Sequence, residues 1–141
     1  MIEVADVRRR FRARIEHAKR AAESRRVEAD RARRDYDTFI ETIATPVFRM
    51  VASVLSAEGY PFKVFTPGGG PRLASAKSRE DYVEIDLDTD VHPPQVVGRV
   101  NRSRGGRVVT VERSIKEGRA VHDVTDEDLV SFLVEEMEPF L

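Results

Sequence analysis

The chain has 141 residues, of which 35% are charged and 40% hydrophobic, with ten aromatic side chains and no Trp. A compact globule of this length is usually less polar, so the composition predicts one domain with an appendage outside its core. The lack of cysteine excludes disulfides and thiolate metal sites and fits a cytoplasmic protein.

Net charge is -1 and selects no partner, but its distribution is uneven. Residues 1–35 hold twelve basic against seven acidic residues, and residues 114–141 hold two against eight. Such asymmetry suits a nucleic-acid or membrane contact, or head-to-tail complementarity between ends. The segment Met1–Asp6 is acidic and no apolar run follows it. Neither a signal peptide nor a membrane span of roughly 20 apolar residues is expected.

From Val4 to about Ala44 there is no Gly or Pro, and Ala, Arg and Glu dominate. These are strong helix formers. Two sets of positions seven residues apart define a heptad seam: Arg8, Ile15, Ala22, Ala29, Tyr36, Ile43 and Met50, and Val4, Phe11, Ala18, Arg25, Ala32, Phe39 and Pro46. Eleven of the fourteen are apolar, which predicts a coiled coil with large residues at its ends and Ala in the middle. Val4, Phe11, Ile15, Ala18, Ala22, Ala29, Ala32, Tyr36, Phe39 and Ile43 are the candidate interface residues. The seam is too narrow for a globular core helix and too apolar for open water, so its face must be covered. A second copy, most simply as a dimer, or a larger protein would cover it; the alternative is a single charged helix laid across its own domain, with no dimer. The many Arg residues invite a phosphate-binding reading. Acids threaded through them favour a solvated face with Glu16–Arg20, Asp30–Arg34 and Glu23–Arg26 pairs instead.

Thr45-Pro46 fits a cap and first position of a second helix, or a kink. Val47, Met50, Val51, Val54 and Leu55 would line its buried face, and Gly59 would close it. The period then becomes alternating. Strands are expected over 60–66, 72–77, 81–88, 95–101 and 107–113, with a sixth, short one over 119–124. Thr125 with Asp128 approximates a capping box for a last helix, with Leu129, Val130, Phe132, Leu133 and Met137 as its apolar stripe. The predicted class is α+β: a helical arm (1–44) joined to a small domain (45–141) made of a short helix, a five- or six-stranded antiparallel meander and a C-terminal helix.

No chemical motif stands out. Asp86-x-Asp88-x-Asp90 lacks the Gly and distal Glu of a calcium loop, and strand alternation accounts for it through pairing with Arg99, Arg107 or Arg113. His17, His92 and His122 share no metal-ligand spacing. Gly68-Gly69-Gly70 precedes Pro71 and lacks the Lys-Ser/Thr of a phosphate-binding loop. A catalytic reading would need His122, Asp123 and Asp86–Asp90 to converge in one pocket. Arg99, Arg102, Arg104 and Arg107 surround Gly105-Gly106 and could meet phosphates or an acidic protein surface. No aromatic residue interleaves them, so base stacking is not indicated. The sequence therefore predicts a non-catalytic interaction or adaptor protein without cofactor, metal, membrane or small-molecule partner. A nucleic-acid-binding accessory protein is the alternative. No motif ties the chain to a family.

Overall fold

A computed structural model describes residues 1–141. The chain is α+β: a long N-terminal helix, a five-stranded antiparallel meander and a C-terminal helix. The first helix is continuous from Val4 to Ala57, about 81 Å at 1.5 Å per residue. It comprises α1 (Val4–Phe39), one π turn (Ile40–Ala44) and α2 (Thr45–Ala57). Thr45 is helical rather than an extended cap. Pro46 lacks an N–H and its ring crowds the carbonyl four residues back. The wider π turn just before it absorbs that conflict, with the Thr45 N–H donating to Ile40 O.

The extra residue in this turn rotates the apolar stripe. Ala32, Phe39, Ala44, Val47, Phe48 and Ala52 are buried in the domain core, whereas Met50, the next heptad position, is exposed, as is Val54. Of the expected α2 face, Val47 is buried and Val51 and Leu55 pack partly buried against the core, whereas Met50 and Val54 face outward; Phe48 is the deepest member. Helix α2 ends as expected at Gly59, whose φ of +94° favours glycine. Tyr60 N donates to Leu55 O and Gly59 N to Ser56 O, the two bonds of a Schellman motif.

The strands are β1 (Phe62–Phe65), β2 (Arg72–Ser75), β3 (Tyr82–Asp88), β4 (Gln95–Arg104) and β5 (Arg107–Ser114), paired in sequence order. The register aligns Leu73 with Val83, Val83 with Val100 and Leu87 with Val96, so one apolar face looks toward the helices. The expected sixth strand is instead a 3-10 turn, Val121–Asp123. Val121 and Val124 are buried there, and a strand's alternation would have carried one of them to solvent. The preceding turn is held by buried Gln95, which donates from Nε2 to Arg119 O and accepts from Gly118 N.

Helix α3 (Asp126–Glu136) opens on a full capping box, Thr125 and Asp128 bonding each other's backbone. Asp128 also meets Arg119 at 2.7 Å. The backbone hydrogen bond from Thr125 leads, with Arg119 adding, in holding the Asp128 carboxyl below the usual carboxylate range. Leu129, Phe132 and Leu133 are buried under the sheet. Gly98 of β4 lies against the Phe132 ring so closely that a Cβ there would sit 2.1 Å from Phe132 Cζ.

Within the long helix one stretch is, against expectation, long and apolar enough by composition to cross a membrane. The stretch lies beyond Asp37, where Ala44, Val47, Phe48 and Ala52 are core residues of the α+β domain while Met50 and Val54 are exposed.

Candidate interaction surfaces

The candidate seam divides at about residue 28. Ala32 and Phe39 are buried in the domain, and Ala29, Tyr36 and Ile43 are half-buried against it. Tyr36 stacks on Phe39 with ring centroids 6.4 Å apart. Burial first, then the charges of Asp86, Glu84 and Asp37, pushes the Tyr36 hydroxyl pKa above its ordinary value, so it stays neutral. Val4, Phe11, Ile15, Ala18 and Ala22 are exposed, Phe11 by 64%. Residues 4–27 project about 36 Å beyond the body with nothing against their apolar stripe. Two histidines stand where the helix meets the body. His92 Nδ1 lies 2.9 Å from Glu28, and His122 Nδ1 lies 3.6 Å from Asp35.

The polar face of this arm carries ion pairs one residue closer than expected in two cases. Asp30 meets Arg33 at 2.8 Å and Glu16 meets Lys19 at 4.0 Å, while Glu23 pairs with Arg26 as predicted. Three- and four-residue spacings are both neighbours on a helix, so the choice rests on rotamers. Arg8, Arg12 and Arg14 make no ion pair.

The four hairpin arginines do not form one group. Arg99 lies on the outer face of the sheet, in a row that crosses four strands as Arg72, Glu84, Arg99 and Glu112. Each neighbour in the row is bonded, at 2.8 Å for Arg72–Glu84 and Glu84–Arg99 and 3.0 Å for Arg99–Glu112. The Glu84 hydrogen bond, partly opposed by burial and reinforced by Glu112, holds the Arg99 pKa above its ordinary value. Arg99 is therefore committed within the protein. The strands run on to Arg104 and Arg107 and close through Gly105 and Gly106, at φ +55° and +81°, the two-residue turn that such a glycine pair suits. Arg102, Arg104 and Arg107 share the other face of this ribbon by strand alternation, with Arg104 directly opposite Arg107 and no acid paired to any of them.

A surface absent from the sequence reading lies between α2 and α3. A groove of about 320 Å³ is lined only by apolar side chains, among them Met50, Val54, Val130, Val134, Met137 and Leu141. Met50 and Val134 are 62% and 70% exposed. Its sequence signal is the i,i+4 pairs Met50–Val54 and Val130–Val134; Met50, Val54 and Val130 also fit the expected core stripes, and Val134 lies outside them.

His122, Asp123 and Asp86–Asp90 do not converge in one pocket. His122 faces Asp35 and Asp123, whereas Asp86 lies 3.7 Å from Arg99 on the sheet's outer face. Asp88 Oδ1 accepts from Asp90 N in its own turn, and no three His, Asp or Glu side chains come together as a metal site. A larger polar hollow, about 540 Å³, lies between the end of β5 and α3. Its Arg113 is bound to Glu135 and Glu136 and its Asp128 to Arg119 and Thr125, so these groups serve the fold. Comparison with protein-family models, curated proteins and solved structures returns no match.

Proposed function

We propose that this is a non-catalytic interaction protein that self-associates, as a dimer, through its N-terminal helix. The observation that carries the reading is the free half of that helix, where Val4, Val7, Phe11 and Ile15 stand exposed in one stripe. Contiguous exposed apolar surface marks an interaction site, and in proteins most helical stability comes from packing an apolar face rather than from propensity. Light scattering on a sizing column at tens of micromolar should give twice the chain mass. Substituting Phe11→Ser with Ile15→Ser should reduce it to one chain without changing the domain's circular dichroism. A monomeric natural protein, or a variant that stays dimeric, overturns the reading. Phe39 and Ile43 are unsuitable probes because they pack in the domain.

A second reading has its own support in the unpaired face of Arg102, Arg104 and Arg107. Three cations on one ribbon suit phosphate contacts, with affinity falling steeply as salt rises. Lack of binding to mixed-sequence DNA and RNA at low salt excludes it.

A further inference from the structure

We infer, resting on the reading of the arm as a self-association element, that the arm of one copy lies in the α2/α3 groove of a second copy, and reciprocally. Each chain offers one unpartnered apolar helix stripe and one unpartnered apolar groove. A closed two-fold pair uses both of each, with nothing left over. Apolar residues at 4, 7, 11 and 15 are spaced as anchors for a helix seated in a groove.

Charge decides between this arrangement and arm against arm. Residues 126–141 carry six carboxylates and no basic residue. Along the exposed side of α3, Glu127, Val130 and Val134 recur at helical spacing and Glu138 follows in the 3-10 turn Glu138–Phe140, so acids stand at both ends of the apolar strip. On the arm, unpaired Arg8, Arg12 and Arg14 flank Phe11 and Ile15. Two arms laid together would bring like charges into contact and set Arg8 within the seam. An arm in the groove places those arginines beside the acids. Orientation agrees: the arm stripe continues through Ala22 and Ala29 into Ala32 and Tyr36, which face the body. The stripe thus looks toward the side where a second body would sit.

The chain has no cysteine, so thiols can be placed at will. Full-length Ile15→Cys and Val134→Cys proteins, both altered at exposed positions, are treated with a short bismaleimide, separately and mixed. The mixture should give a covalent dimer and neither protein alone should do so. Crosslinking of Ile15→Cys by itself would show arm-to-arm pairing, which overturns the groove assignment and leaves self-association standing. No crosslink in a mixture that itself still sediments as a dimer overturns the assignment equally. A natural protein that sediments as a monomer overturns both. As an independent measure, Val54→Glu with Val134→Glu should weaken the dimer at least tenfold while the domain stays folded, and a folded variant of unchanged dimer affinity overturns the assignment.

Discussion

The two halves of the long helix each carry an apolar stripe and meet different surroundings. From Glu28 to Ala57 the stripe, shifted in phase at the π turn so that Met50 and Val54 face outward, packs against the sheet, α3 and the Val121–Asp123 turn. From Val4 to Val27 the same kind of stripe meets nothing within the chain. A periodic pattern reports that a face must be covered; it does not report by what. The seated half draws its stability from packing inside one chain, so it should respond to mutation whatever the protein concentration. The free half should respond through association alone.

The sharpest way to break this comparison is a matched pair of substitutions. Phe48 is fully buried, so Phe48→Ala should lower the unfolding free energy by about 3–5 kcal/mol in a urea titration at any protein concentration. Phe11→Ala at 64% exposure should leave the unfolding midpoint of dilute protein unchanged. Equal losses in dilute protein would mean that the arm is part of the core.

Gly98→Ala comes next. The added carbon collides with the ring of Phe132, and the ring is locked between β4 and the Arg113 guanidinium 4.6 Å from its centroid. Overpacking of this kind costs about 1–3 kcal/mol, read from the same titration. Gly68→Ala, with open space around it, is the control and should be neutral.

Thr125→Ala removes the cap of α3 and should cost about 1 kcal/mol. Its partner Asp128 adds a pH dependence. A carboxyl held below its unfolded pKa stabilises the fold above the ordinary carboxylate range and loses that contribution as acid protonates it in the folded state. Thermal melts between neutral and strongly acidic pH should therefore fall less steeply for Asp128→Asn than for the natural protein. The smallest effect is expected on the arm's polar face: Arg26→Ala breaks an exposed pair with Glu23 and should change stability by no more than about 0.5 kcal/mol.

Much of the fold was legible because the signals are local. Val83, Ile85 and Leu87 alternate along β3, Gly59 stops α2, and Thr125 with Asp128 starts α3. Each depends on residues within one turn or one strand. The misreadings share the opposite property. Val121 and Val124 look like strand residues until the turn that buries both is seen. Met50 and Val54 look like core until the π turn rotates them outward. Arg99 sits three residues from Arg102 in sequence but on the opposite face of the sheet, bonded to acids from β3 and β5.

Sequence alone determined that this protein has a helix of great length, a meander of antiparallel strands and a capped last helix. Backbone propensity, periodicity and capping chemistry act over a few residues and need no fold to be read. Only the tertiary structure decided where the apolar stripe stops being covered, which arginines are already neutralised, and that a groove remains open between α2 and α3. Those outcomes depend on strand register and helix phase, and a shift of a single residue in either reassigns a whole face.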